Sequence, residues 1–435
     1  MMKISKNDLK ETLSIAQATL GNGPDISSHF LFEKVGEDVF VSACNPPRIY
    51  SSIPLKGCKI DEIEPVEGEE DADEEESGEA TEKEDAFQSF TLEGKRILKA
   101  INAVDGLLTI EVEKGSVSIT SDKGTLELSS LDPTVFPPWR EQLSASTLMT
   151  NVPANVMHDT LSISKPYANT DEVRRPELAQ VLFTDGMAFS CDSFGLCMSK
   201  SDSFKDLEAK FHLKDISPAC KFLKSYDGHS IKVLESAKST FLQSEDGGVF
   251  GMMEHPHDMP KAITSRYIDA FNWVPRRVWR FGKEEFNNSL NFLSSGAEES
   301  NIEVKLIDSE AETFSPPRLE MLSVGNNVQT YNLEPAELGV ELTEDFDLNT
   351  IEDLGERLYA SRMLADKKGE TVGDDIEFFS FNIDYMKRSI DANHSGHITF
   401  GCNREGEKKG YMLFKQATPS GVKVVSILGW VIPTK

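Results

Sequence analysis

Apolar residues recur along the chain at two spacings, and the two spacings alternate. In KNDLKETLSIAQATL, Leu9, Leu13, Ala16 and Leu20 are three or four positions apart. That interval places them on one helical stripe. PANVMHDTLSIS repeats it with Val156, Thr160 and Ile163, and KEEFNNSLNFL with Phe286, Leu290 and Leu293. A second family of helices has the same interval. It comprises GKRILKAIN, with Ile97, Leu98 and Ile101 on one face, PACKFLKSY, and IDYMKRSI, with Ile383, Met386 and Ile390. Each second helix is followed by three segments of period two, the signature of strands. These are LLTIEVE, SVSITS and TLELSSL; SIKVLE, STFLQS and VFGMM; and HITFG, GYMLFKQ and VKVVSILGWVI. Lys114-Gly115, Lys123-Gly124 and Gly247-Gly248 mark turns between them.

The order helix, strands, helix, strands therefore occurs three times. Self-similarity on this scale predicts stacked equivalent domains, of α+β class, each with two helices packed on antiparallel sheets. The expected boundaries are 1–146, 147–262 and 263–435. The second helices start near Glu93, Asp215 and Asn382, and the later interval is the longer. An insertion at about 343–373, with its own helical segment IEDLGERLYASRML, accounts for the difference.

Length and composition fit this reading. The chain has 435 residues, 39% hydrophobic and 27% charged, enough apolar material for several cores. No apolar run reaches the length of a membrane span, and the first residues lack the apolar core of a secretory signal. A soluble cytoplasmic protein is expected. Cys44, Cys58, Cys191, Cys197, Cys220 and Cys402 form no Cys-x-x-Cys pair, so buried free thiols are expected and a zinc site is not. The net charge is −28. Residues 61–85 carry 15 carboxylates against the single Lys83 and almost nothing apolar. That segment reads as a solvated inserted loop, or as a docking tail for a basic partner.

Three stretches together resemble the sliding clamp of bacterial replicases, the beta subunit of the replicative DNA polymerase. They are LLTIEVEKGSVSITSDKGTLELSSLDPTVFPPW, ISKPYANTDEVRRPELAQVLFTDGMAFSCDSFGLCMS, and FSFNIDYMKRSI with the final WVIPTK. The length and the two inserts point to a divergent member, with a phage origin as one reading. The resemblance implies a homodimer of three-domain chains closing head to tail into a ring around double-stranded DNA. Polymerase and clamp loader are the implied partners, with no cofactor, no metal and no membrane. It matches Leu126 and Leu128 to the dimer-interface edge.

In that light, the basic residues of the three second helices read as a DNA-facing surface: Lys95, Arg96 and Lys99; Lys221 and Lys224; Lys387 and Arg388. Lys95 and Lys99, four apart, share one helix face, as do Lys221 and Lys224. The resemblance adds Arg174 and Arg175 from a DNA-proximal loop. Such contacts would be to phosphates and carry no sequence information. The resemblance also maps a partner-peptide pocket onto Leu178, Cys191, Phe194, Leu196, Pro256, Asn382, Tyr385, Val431, Ile432 and Pro433. Each of these also has a plainer reading: Asn382 as a helix N-cap, Leu178 and Leu196 as core. Where the family has His-Arg, this chain has Phe194-Gly195.

Two other function classes stay open. The first is an acidic interaction module that does not encircle DNA. The second is a hydrolase built on His255, His257 and Asp258, or on His394 and His397. Neither histidine pair has the spacing of a metal-binding helix, and the chain has neither a P-loop nor a Gly-x-Ser-x-Gly elbow. A non-enzymatic protein is expected.

Overall fold

The computed structural model describes residues 1–60, 87–113, 115–273, 275, 277–296, 301–307, 318–323, 329–343, 345–367, 378–405 and 409–431. The acidic segment 61–85 lies outside these, as do Ile432 and Pro433.

All six expected helices form. Lys6–Ala16, Ala154–Ser164 and Lys283–Gly296 are the first of each repeat, and Gly94–Ala103, Leu213–Ser225 and Ile383–Asp391 the second. Two of them start on a side-chain cap. The Ser5 hydroxyl accepts from Asp8 N at 3.2 Å, and the Asn382 side chain accepts from Asp384 N at 2.9 Å, each satisfying a first-turn donor. The stripes bury as their spacing requires: Leu9, Leu13 and Ala16; Phe286, Leu290 and Leu293; Ile383, Met386 and Ile390.

The chain gathers into two compact units, Met1–Asn151 with Ser217–Met253, and Val152–Ile216 with Glu254–Lys435. In the first, a five-stranded sheet runs in the order Lys59–Ile60, Met2–Ser5, Leu107–Glu113, Ser116–Ser121, Gly124–Ser129. An eight-stranded sheet runs Thr147–Pro153, Ser230–Ser236, Ser239–Gln243, Val249–Met253, Ile49–Pro54, Asp38–Asn45, His29–Val35, Phe90–Glu93. In the second unit twelve strands form one sheet, all of whose pairings are antiparallel.

Each unit contains one junction between successive repeats, and both junctions obey one rule. In the first, Ile49–Pro54 pairs with Val249–Met253, with Phe250 opposite Ser51. In the second, Gly195–Lys200 pairs with Lys423–Val431, with Met198 opposite Val425. Each time, the third strand after a repeat's first helix pairs with the last strand of the following repeat.

Within the segment expected to be an insertion, Leu354–Lys367 is a helix that packs on the strands Arg277–Gly282, His397–Glu405 and Lys409–Ala417. Leu358 and Tyr359 bury with Val278, and Leu342, Ile351, Ala360 and Leu364 form a second cluster. Gly355 permits this approach, because a Cβ there would stand 2.9 Å from the Lys415 carbonyl oxygen.

Candidate functional site

The second unit holds a cleft of about 350 Å³. Its floor arises where three strands meet: Met187–Cys191, Gly195–Lys200 and Lys423–Val431. There Leu178, Cys191, Leu196, Leu413, Val425 and Ile427 bury together. The helix Lys261–Tyr267 and the 3₁₀ turn Ile268–Asn272 form one side, packing Ile263, Tyr267 and Phe271 against that cluster. Leu178, Cys191, Phe194, Leu196, Ile263, Tyr267, Tyr411 and Ile427 supply an apolar lining, and Arg175 and Ser193 the polar exceptions. A concave apolar surface with a few fixed polar groups is the usual make-up of a ligand or peptide site.

The rim is held by a chain of contacts. Asp192 Oδ1 accepts from Phe194 N at 3.0 Å and Gly195 N at 2.8 Å. Its other oxygen pairs with the Arg388 guanidinium. Arg388 lies 4.7 Å from the Tyr385 ring centroid, and Tyr385 stacks on Phe194 at 5.2 Å. Ser193, between them, adopts φ +83°, a left-handed conformation costly for a residue with a Cβ. The Asp192 bonds and a 3.2 Å bond from Arg175 Nη1 to Ser193 Oγ offset that strain. Phe194 nevertheless remains 61% exposed. Stacking of this kind contributes about 1 kcal/mol, less than full burial of a Phe side chain, at roughly 2–3 kcal/mol. Much of this side chain's burial energy is therefore unrealised in the single chain.

Of the pocket residues expected from sequence, Leu178, Cys191, Phe194 and Leu196 line the cleft, and Tyr385 backs Phe194. Asn382 serves as the N-cap of Ile383–Asp391. Pro256 is exposed in the loop after Val249–Met253 and is not among the lining residues. Val431 ends the last strand, and Ile432 and Pro433 lie outside the described residues. Burial raises the Cys191 thiol pKa, keeping it protonated and packed as an apolar group. Gly195 is tightly set: a Cβ there would stand 3.0 Å from Leu428 Cδ2 and 3.3 Å from the Tyr167 ring. A larger residue at that position would have to displace one of them.

Sequence reasoning missed Ile263, Tyr267, Tyr411 and Ile427. A signal existed for the first two, since Ile263, Tyr267 and Phe271 recur every four residues just after Pro260.

Among the basic residues, Lys95, Arg96 and Lys99 are exposed on Gly94–Ala103, and Arg96 pairs with Glu93 at 2.8 Å. Lys221 and Lys224 are exposed on Leu213–Ser225. Lys387 is half-buried, and Arg388 is engaged by Asp192. Arg174 is exposed beside Asp171, whereas Arg175 pairs with Glu177 at 2.6 Å and lines the cleft.

Several strands have a neighbour on one side only among the described residues, Gly124–Ser129 and Thr330–Leu333 among them. Gly124–Ser129 pairs with Ser116–Ser121, and Thr330–Leu333 with Arg318–Ser323. Beside the first edge Leu126 is 37% exposed, while Leu128 is buried opposite Val117. A cleft of about 250 Å³ adjoins Leu126, lined by Ala100, Ile101, Ala103, Val104 and Ile119. Beside the second edge Phe292 is 47% exposed, its ring 5.8 Å from that of Tyr331.

The histidines gather differently from a catalytic set. His255 is buried, its ring 5.1 Å from that of His212 and 5.6 Å from that of His257, and burial lowers its pKa. Among the described residues no three His, Cys, Asp or Glu side chains form a group able to hold a metal ion. Nor is any described helix long and apolar enough to cross a membrane.

No family model matches the sequence, and no curated protein matches it. Solved structures do match the fold. The DNA polymerase III beta subunit of Thermotoga maritima superposes with a TM-score of 0.68 at 15% identity, covering all of both chains. The Pseudomonas aeruginosa sliding clamp bound to griselimycin gives 0.69 at 12%, covering all of this chain and 99% of that one. The Helicobacter pylori beta clamp in complex with 3,4-difluorobenzamide gives 0.65 at 17%, with both chains fully covered. With its helix-and-strand order repeated three times and its full-length superposition, the chain has the fold of the bacterial beta sliding clamp.

Proposed function

We propose that the protein is a DNA polymerase processivity factor: a homodimeric ring of three-domain chains that encircles double-stranded DNA and holds replication proteins through the cleft at Phe194. The domains are 1–146, 147–262 and 263–435. The observation that carries this is the junction rule. Within the chain, a repeat's third strand pairs with the last strand of the next repeat. Continuing that rule past the third repeat leaves one strand seeking a partner, Thr330–Leu333, and one strand free to receive it, Gly124–Ser129. The two belong to the first and the third repeat, so in a head-to-tail pair of copies each satisfies the other. Pairing also removes two open edges that would otherwise invite aggregation. Phe292 and Tyr331 bring an aromatic pair to one edge, and the apolar cleft beside Leu126 offers the other a seat for it.

A closed ring needs no tight chemical grip, which reconciles DNA as a partner with a net charge of −28. Lys95, Lys99, Lys221 and Lys224 provide exposed cations on second helices, suited to screened phosphate contacts. The protein acts without catalysis, in the cytoplasm of a bacterium or of a phage's host, and a clamp loader opens it. The acidic interaction module remains the second reading, supported by the carboxylates of residues 61–85.

Charge reversal at Lys95, Lys99 and Lys221 tests the DNA-facing assignment. The triple glutamate variant should show several-fold weaker retention on circular DNA at low salt, with melting unchanged. The difference should shrink as salt rises and screening shortens the reach of each charge. Equal retention at low salt would assign these helices to a surface away from DNA.

A further inference from the structure

We infer that Lys415 is a positioning residue for the cleft: its ammonium pins the segment 268–273, so that Tyr267 and Tyr411 are set as the cleft's wall before any peptide arrives. The inference rests on reading that cleft as the partner site.

Lys415 lies on Lys409–Ala417 and is 8% exposed, an unusual place for a lysine. Its Nζ donates to two backbone carbonyls, Phe271 O at 2.6 Å and Trp273 O at 2.7 Å. Both belong to the end of the 3₁₀ turn Ile268–Asn272, where carbonyls run out of helical partners and a cation is favoured. The segment packs its Phe271 and Trp273 against the sheet's core cluster without joining the hydrogen-bond ladder. Side chains convey the anchoring to the cleft. The Trp273 ring is 5.0 Å from Tyr411 and 5.9 Å from Tyr267, and both tyrosines line the cavity. A lysine would not be needed for packing alone, since strand neighbours such as Leu413 fill the same core with hydrocarbon. Burial lowers the ammonium pKa to about 8, with no charged partner offsetting it among the described residues. The two carbonyls are thus what the buried cation serves.

The test is hydrogen–deuterium exchange over residues 263–273, joined to titration of a synthetic peptide with Leu and Phe anchors. Free wild-type protein should already protect these amides, including Trp273 N, bonded to Ala270 O. Lys415→Met keeps the side chain's length but leaves both carbonyls without their donor. It should speed exchange in this segment about tenfold and weaken the peptide about tenfold, the scale of a lost charge-assisted bond. Lys415→Arg, which can still reach both carbonyls, should restore protection and affinity. Unprotected amides in free wild-type protein would overturn the inference whether or not the methionine variant folds. So would wild-type exchange in Lys415→Met, or equal loss of protection in both variants, which would mark a packing role. Failure of the wild-type protein to bind the peptide would count against the cleft as partner site, while the exchange data would still judge the anchor.

Discussion

Replacing Phe194 with alanine should lower affinity for a Leu- and Phe-anchored peptide by about 2 kcal/mol, roughly thirtyfold, the scale of a well-buried aromatic anchor. The side chain is 61% exposed in the single chain, so its loss removes little from the folded core. What it removes is the half of the burial that a partner would complete. Its backbone position survives, because Asp192 holds the turn through the main-chain amides of Phe194 and Gly195. Isothermal titration of the peptide, beside a melting curve, reads both quantities. Val135 is equally exposed but lies in the other unit, and Val135→Ala should leave the affinity unchanged. If Phe194→Ala binds as tightly as wild type, the partner surface lies elsewhere.

Lysine at Leu126 or at Phe292 should each convert a dimer of twice 48.3 kDa into a monomer at micromolar concentration. Both positions are partly exposed, so the chain should fold, whereas lysine at buried Leu128 would disturb the core first. A charge placed in an apolar contact loses hydration that the interface does not return. The stronger consequence concerns mixtures. In a head-to-tail pair, a Leu126→Lys chain and a Phe292→Lys chain share one junction with neither substitution. Mixing the two monomers should therefore restore a dimer, joined once instead of twice. A symmetric face-to-face interface would stay broken in the mixture or never have been broken by both. Light scattering on the separate and combined variants distinguishes these cases.

Much of the fold was legible because one face of nearly every element is buried. The stripe Leu9, Leu13, Ala16 and the alternation in LLTIEVE each record which side meets the core. The cleft was harder to read, for two physical reasons. Its lining comes from segments far apart in sequence, and local periodicity says nothing about which of them meet. Asp192 and Arg388, 196 positions apart, are one example. Arg388 reads from its own helix as another exposed cation, and only the fold shows the carboxylate that engages it. Lys415 is the second case: within GYMLFKQ it looks like the polar position of a strand, but its side chain is buried and serves the backbone of another segment. Phe292 falls off the stripe of Phe286, Leu290 and Leu293, and an aromatic on a helix's polar side is the sequence signal that fits the proposed contact between chains.

The central claim is topological, and retention on DNA of different topology tests it most directly. Wild-type protein should be loaded onto a nicked circular plasmid by a clamp loader and passed through a sizing column. It should co-elute with the circle at a salt concentration that dissolves ordinary phosphate contacts. Cutting the circle once with a restriction enzyme should release it, because a ring can then slide off the ends. Retention that persists after linearisation, or that vanishes from the intact circle as salt rises, would contradict a closed ring and favour an ordinary binding surface.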